Sequence, residues 1–199
     1  MNYKEALREY YNFINRIEKR RKEVEKFSQF LEKHTNWLTA PASTRYHLPI
    51  EGGLLIHSVG VCKTLLKLKN TLAPQISDES CIICALFHDV GKVGMPEKPL
   101  YLKNENNVTG EEPAYIINEN LSYSAIAMRS VYLIARYIPL SEEELQAILY
   151  HDGLYIPEGK AVSHKEEALT LLLHWADYWT AHILEDKFPI KISDYFQEE

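Results

Sequence analysis

The length, composition and charge of the chain fit one globular domain and exclude several classes of protein. The chain has 199 residues, of which 46% are hydrophobic and 25% charged, and its formal net charge is −6. That length is enough to bury a sizeable core. The negative charge argues against broad electrostatic binding of duplex nucleic acid, although a small anion could still bind in a metal-lined pocket. No membrane span is predicted, because His174 and Asp177 interrupt the longest apolar run.

The three cysteines predict a reducing compartment and no disulfide framework. Their number is odd, and the first ten residues are charged and lack the apolar core of a signal peptide. We therefore expect a cytoplasmic protein. Cys81 and Cys84 have the spacing of a redox or zinc motif, but no second pair exists. Their apolar neighbours favour two buried thiols instead.

The N-terminal region, residues 1–38, predicts one long amphipathic helix. Apolar residues recur at helical spacing from Leu7 to Leu31, with dense charges between them. We expect this helix to pack on a domain that spans residues 39–199, so that the whole chain forms one compact unit. The basic cluster at 19–22 has acidic neighbours and predicts a solvated helix face. The apolar stripe of the helix also leaves a homodimer open.

Further helices predict an all-α fold. Ser141-x-x-Glu144 and Ser163-x-x-Glu166 read as capping boxes, which open helices. Residues 94–120 are irregular, but two short apolar runs there predict a small β-hairpin around 98–118. The predicted helices after the first are 54–70, 77 to about 88, 122–137, 141 to about 151, and 163–184.

The adjacent pair His88–Asp89 ends an apolar stretch and is the most informative feature of the chain. Burying an imidazole and a carboxylate there is costly unless something binds them. A divalent metal would bind both. His57, inside an apolar helix, and Asp177, in the middle of a helix flanked by aromatics, are candidate partners.

These four residues would project from three helices, which is a known way to build a metal site in a helical core. Two imidazoles and two carboxylates suit a transition metal better than Ca²⁺. Spacing alone does not establish the site, because each residue has an ordinary alternative. His57, for example, could be a hydrogen-bonded core histidine.

The order His…His-Asp…Asp resembles the HD-domain superfamily of metal-dependent phosphohydrolases. Gly-Gly-Leu-Leu-Ile-His57 looks like the first-histidine motif of that family, Ala-Leu-Phe-His88-Asp89-Val-Gly-Lys92 like its central motif, and Leu-Leu-His-Trp-Ala-Asp177 like its last-aspartate motif. The segment from Pro41 to His47 is similar to the HD domain of certain bacterial 3′–5′ exoribonucleases. It is also similar to small stand-alone, often phage-encoded, HD hydrolases. The resemblance covers roughly residues 40–185 and implies an HD-domain helical bundle.

The resemblance implies a metal centre at His57, His88, Asp89 and Asp177 that hydrolyses phosphate esters or anhydrides with a metal-activated water. The metal would be Mn, Fe, Co, Ni or Zn, with Mg as an alternative. Two-metal branches carry two further histidines. His151 matches one, but Tyr123 stands near the place of the other. We therefore expect one tightly bound ion, with a second as the alternative.

The remaining candidate site residues would act on the substrate. Asp89 would orient the water, and Lys92 would stabilise charge on the phosphoryl oxygens. His151 would contact phosphate, donate a proton or form half of a weaker second metal site. Arg45 and His47 lie where related enzymes place substrate contacts.

Three functions stay open. The first is hydrolysis of a small phosphorylated substrate, a mononucleotide or a dNTP, with no duplex nucleic acid and no membrane as partner. The second is a phosphodiesterase or exonuclease that acts on short oligonucleotides or cyclic nucleotides. The third is a non-catalytic HD-like sensor or scaffold, a class in which metal ligands are usually lost.

Overall fold

The chain folds as a helical bundle with a small antiparallel sheet. The structure is a computed structural model that describes residues 1–107 and 111–185. Within those ranges the predicted all-α fold with its hairpin is confirmed. The elements are α1 (Tyr3–Asn15), α2 (Arg21–His34), α3 (Gly53–Leu72), α4 (Asp78–Phe87), β1 (Tyr101–Lys103), β2 (Tyr115–Ile117), α5 (Ile126–Ala135), α6 (Glu142–Tyr150), α7 (Gly159–Val162) and α8 (Ala168–Trp179).

Helix α3 is the centre of the bundle. It packs against α1, α4 and α8. Its first residues, 53–59, are buried on all sides, whereas Lys63, Lys67 and Asn70 of its second half are exposed. The core also holds large aromatic side chains from other elements, among them Tyr10, Phe27, Trp37 and Phe87, which are fully buried. The three cysteines are free and buried, as predicted. Among the described residues, no helix combines the length and apolarity needed to cross a bilayer.

The N-terminal region forms two helices, so the prediction of one continuous helix is wrong. The chain leaves α1 at Arg16 and begins α2 at Arg21. Glu79, in the first turn of α4, accepts hydrogen bonds from the backbone N–H groups of Glu18 and Lys19, at 3.1 and 2.9 Å. These N–H groups bond to a side chain instead of to the preceding helix. Apolar spacing runs through this break, which is why the sequence did not reveal it.

The basic cluster at 19–22 is not a uniformly solvated face, because Arg20 enters the protein. Its guanidinium donates two hydrogen bonds to the carboxylate of Glu144, at 2.6 and 2.7 Å, and one to Glu79, at 2.8 Å. The side chain of Glu144 is only 1% exposed. Arg20 therefore ties the segment between α1 and α2 to α4 and α6, and it compensates a buried charge.

The α8 helix begins later than its predicted capping box. Ser163 ends α7, whereas α8 begins at Ala168 and has no side-chain cap of its own at Glu167. Gln146 of α6 supplies the missing acceptor, since its Oε1 accepts from the backbone N–H of Glu167 at 2.6 Å. The cap is thus a tertiary contact, which a local motif cannot reveal. The other predicted capping box, at Ser141 and Glu144, is confirmed.

The hairpin pairs β1 with β2 in the register Tyr101 with Ile117 and Lys103 with Tyr115. Two buried asparagines fix its ends. Asn104 donates to the carbonyl of Pro113, and Asn118 donates to that of Pro99, each at 2.9 Å. These two hydrogen bonds therefore close the irregular segment that precedes α5 on itself and fix the ends of the hairpin.

We predict that Arg20→Gln destabilises the protein by about 3 kcal/mol, because it leaves the buried carboxylate of Glu144 without its cation. Arg21→Gln is the matched control. Arg21 pairs with Glu25 at the surface, both side chains being 45% exposed, and such pairs contribute about 0.5 kcal/mol. Urea unfolding followed by circular dichroism measures both variants. Equal losses of stability in the two variants would show that Arg20 does not compensate a buried charge on Glu144.

Candidate metal centre

His57 lies on the buried helix α3 and faces a carboxylate with each ring nitrogen. Its side chain is 1% exposed. Nε2 lies 3.0 Å from Oδ1 of Asp177 on α8, and Nδ1 lies 3.0 Å from Oε2 of Glu185. A histidine in an ordinary apolar core would not meet two carboxylates, so this ring belongs to a polar site inside the bundle.

His88 and His151 each follow the last residue of a helix, α4 and α6 respectively. The Nδ1 of His88 bonds to the carbonyl of Ala85 at 2.9 Å, and that of His151 to the carbonyl of Ile148 at 2.8 Å. A carbonyl oxygen only accepts, so Nδ1 carries the proton in both rings. Both histidines are thereby held by their own helix ends, with Nε2 directed into the site.

The turn that follows Asp89 is hydrogen bonded to α5 and packs closely against it. Residues 90–93 form one 3₁₀ turn after α4. The N–H of Gly91 donates to Oγ of Ser130 at 2.8 Å, and Nη1 of Arg129 donates to the carbonyl of Gly91 at 3.2 Å. The backbone of α5 approaches so closely that a Cβ on Gly91 would collide with it. The glycine of the central motif is therefore needed for this docking.

Two aspartates lie among the three imidazoles. Oδ2 of Asp89 lies 3.8 Å from Nε2 of His57 and 3.6 Å from Nε2 of His88, whereas its Oδ1 lies 3.7 Å from Nε2 of His151. Oδ1 of Asp177 lies 3.0 and 3.8 Å from Nε2 of His57 and of His88. The two oxygens of Asp89 thus face different histidines, as a bridging carboxylate would require.

The donor atoms fit a divalent metal ion. Among the described residues, the buried Nε2 atoms of His57 and His88 have no hydrogen-bond partner. The 3.0 Å contact of His57 with Asp177 is short, but it is not aligned as a hydrogen bond. Both nitrogens therefore point into the space that they share with the carboxylates. Donors of His57, His88 and Asp177 lie within 4.8 Å of one another, and so do donors of His88, Asp89 and His151.

The surroundings shift the ionisation of these groups. Burial alone would lower the pKa of His57, but Glu185 and Asp177 raise it to about 10. Burial likewise would lower the pKa of His151, but Asp89 and Asp152 raise it to about 9. Burial would raise the pKa of both site aspartates, yet the nearby cations hold it well below the usual range.

A pocket of about 690 Å³ opens above the metal centre. Its volume is typical of ligand-binding sites, which span about 300–1,000 Å³. Lys92 lines it and forms an ion pair with Oδ2 of Asp89. His47 and Arg45 also line it, and the guanidinium of Arg45 donates to the carbonyl of Glu111 at 2.7 Å. Burial, with His57 and Lys92 nearby, lowers the pKa of His47 to about 3, so this ring is neutral.

The structure therefore brings the sequence-predicted residues together. The four predicted metal ligands lie in two adjoining groups of donors that share His88, one with His57 and Asp177 and the other with Asp89 and His151. The predicted substrate residues line the pocket above them. Tyr123 does not enter the site, since it is 96% exposed and lies away from this pocket. The chemical roles of the residues, and the number of ions, stay predictions.

Sequence reasoning missed several residues of the site. Tyr155 and Tyr178 line the mouth of the pocket and stack with ring centroids 5.8 Å apart, and His182 lies beside Tyr178 at 4.3 Å. Because Tyr178 follows Asp177 directly, the sequence could have indicated that it lies at the site. No sequence pattern indicated Glu185, because a continuous α-helix would have turned it away from His57.

Comparison with known proteins gave one match, to a family model that covers part of the chain. No curated protein and no solved structure matches the chain. The family model of the HD domain matches residues 54–128, which run from α3 through the His88–Asp89 pair into α5. The match includes three of the four clustered side chains, and Asp177 of α8 completes the His…His-Asp…Asp order in space. The match to the HD domain supports membership of the chain in the HD-domain superfamily, whose members are in general metal-dependent phosphohydrolases.

Proposed function

We propose that the protein is an active phosphohydrolase that cleaves a phosphate ester or anhydride of a nucleotide, either a mononucleotide or a dNTP. The observation that carries this proposal is the convergence of His57, His88, Asp89 and Asp177 at the floor of a pocket lined by cations. Non-catalytic relatives usually lose ligands, whereas this chain keeps all four. A transition metal ion, with Mg²⁺ as the alternative, is the proposed cofactor.

The reaction would be attack of water on phosphorus. A bound divalent ion would lower the pKa of the attacking water and polarise a phosphoryl oxygen. Asp89 would orient the water, and Lys92, beside it, would stabilise the charge that spreads over the phosphoryl oxygens. The water would lose one proton to the solvent, and its oxygen would bond to phosphorus while the bond from phosphorus to the leaving oxygen breaks. His151 directs Nε2 towards the same centre and would protonate that leaving oxygen.

Two features of the pocket favour a nucleotide over other phosphate esters. Arg45 lines the pocket, and its guanidinium donates one hydrogen bond among the described residues, to Glu111, so its other N–H groups would bind phosphate. Tyr155 and Tyr178 expose their stacked rings at the mouth, 71% and 43% exposed respectively, and aromatic faces stack on any nucleobase. The pocket thus pairs phosphate-binding groups with a surface for a base. The absence of duplex nucleic acid and membrane partners, and a cytoplasmic location, stay predictions.

We predict that Asp89→Ala abolishes hydrolysis and leaves a folded, metal-poor protein, because Asp89 faces all three imidazoles of the centre. Activity is measured on mononucleotides, dNTPs, cyclic dinucleotides and short oligonucleotides with Mn²⁺, Co²⁺, Ni²⁺ or Mg²⁺. Elemental analysis measures bound metal. Glu105→Gln, at an exposed carboxylate of the hairpin loop, is the control and should behave as wild type.

The same substrate panel separates the alternatives. Turnover of oligonucleotides or cyclic nucleotides alone would favour the phosphodiesterase function. No turnover of any substrate, together with no bound metal in the wild-type protein, would refute the enzyme proposal. Normal turnover by Asp89→Ala would show that this carboxylate is not part of the reaction.

We predict that Tyr178→Ala weakens nucleotide binding by about 5-fold to 150-fold, since base stacking on an aromatic side chain contributes about 1–3 kcal/mol. Hydrolysis of p-nitrophenyl phosphate, which carries no nucleobase, should change far less. Tyr132→Ala is the matched control, because Tyr132 is similarly exposed on α5 but does not line the pocket. An equal loss on both substrates would argue against stacking.

A further inference from the structure

The second carboxylate on His57, that of Glu185, has no place in the sequence motifs or in the four-ligand centre. Its side chain is 7% exposed, and its Oε2 lies 3.0 Å from Nδ1 of His57. Burying a carboxylate at this depth is costly unless it meets a partner. The contact with His57 supplies that partner, and it occurs on the ring nitrogen that faces away from the metal centre.

The backbone after α8 is built to deliver Glu185 to this position. The helix widens into one π-helical turn over Thr180–Leu184, which closes with a bond from the N–H of Glu185 to the carbonyl of Thr180 at 3.1 Å. A π-helical turn takes one residue more than an α-helical turn, and such turns are frequent at functional sites. The extra residue rotates Glu185 onto the face that carries Asp177.

Helix α3 makes room for this turn and fixes it. A Cβ on Gly60 would lie 2.8 Å from Cγ2 of Thr180 and 3.4 Å from Oε1 of Glu185, so glycine leaves the space that they occupy. One turn further on, the hydroxyl of Thr64 hydrogen bonds to that of Thr180 at 3.2 Å. The π-helical turn therefore packs closely on α3 at Gly60 and is hydrogen bonded to it at Thr64.

The segment from α8 through the π-helical turn consequently places a carboxylate at each ring nitrogen of His57. Asp177 meets Nε2, on the side of the proposed ion, and Glu185 meets Nδ1 on the opposite side, each at 3.0 Å. When a histidine binds a metal through one nitrogen, a carboxylate on the other nitrogen fixes the tautomer and the ring orientation. It also makes the ring a stronger ligand.

We propose that Glu185 is a positioning residue of the metal centre, which accepts a hydrogen bond from Nδ1–H of His57 and thereby holds Nε2 as a ligand. The proposal rests on the metal dependence of the proposed function. His88 and His151 obtain the same orientation from the carbonyls of their own helix ends. His57 lies in the second turn of α3, where the helix itself uses its carbonyls, so its orienting acceptor comes from another element.

The test measures metal affinity rather than activity. Zn²⁺ binding to the full chain is titrated against a chromophoric chelator for wild type, Glu185→Gln and Glu185→Ala. We expect Glu185→Ala to weaken Zn²⁺ binding by about 10-fold to 100-fold. Glu185→Gln should weaken it less, because its amide oxygen still accepts from Nδ1–H but carries no charge. Glu18→Gln, at an exposed carboxylate between α1 and α2, is the control and should bind as wild type.

A second readout separates positioning from a structural role. In the Zn²⁺-loaded wild type, NMR of ¹⁵N-histidine protein should show a slowly exchanging proton on Nδ1 of His57. That signal should shift in Glu185→Gln and be lost by exchange in Glu185→Ala. Unchanged Zn²⁺ affinity in both variants would refute the proposal, and so would affinity losses that only follow losses of thermal stability. If the wild type itself bound no Zn²⁺, Mn²⁺ or Ni²⁺, the proposed function would fail first.

Discussion

The structure depends on two imidazole nitrogens that are buried without a hydrogen-bond partner among the described residues. The Nε2 atoms of His57 and His88 lie in the centre of the bundle, opposite the carboxylates of Asp89 and Asp177. An arrangement in which neither nitrogen is paired is unfavourable in a closed core. It becomes favourable when a cation takes the shared position, since each of the four side chains then supplies a ligand atom. The proposed ion thus accounts for the ionisable groups inside an apolar bundle.

Rigid elements, rather than loops, position these ligands. His88 and His151 are oriented by carbonyls of the helices that they end, and the turn of Asp89 is hydrogen bonded to Ser130 of α5. The mouth of the pocket, by contrast, carries the exposed side chains of Tyr155 and Tyr178. This division suits an enzyme that keeps a fixed catalytic floor and varies its specificity at the rim.

Much of the fold and of the floor of the site could be predicted from the sequence, because both depend on local patterns. Apolar periodicity located α3 and α4, and the buried pair His88–Asp89 pointed to the centre. Features that depend on long-range contacts could not be predicted. The break before Arg21 needs Glu79 of α4, and the start of α8 needs Gln146 of α6. Glu185 reaches His57 only through a π-helical turn, which an α-helical pattern does not anticipate.

We propose that one divalent ion occupies the position shared by His57, His88, Asp89 and Asp177. Anomalous diffraction from crystals grown with Mn²⁺, collected at the manganese absorption edge, tests it most directly. The account predicts a strong peak within about 2.0–2.4 Å of Nε2 of both histidines and of an oxygen of each aspartate. Crystals grown with Mn²⁺ that show no anomalous peak at this position would contradict the proposal. A peak that leaves Nε2 of His57 uncoordinated would also contradict it.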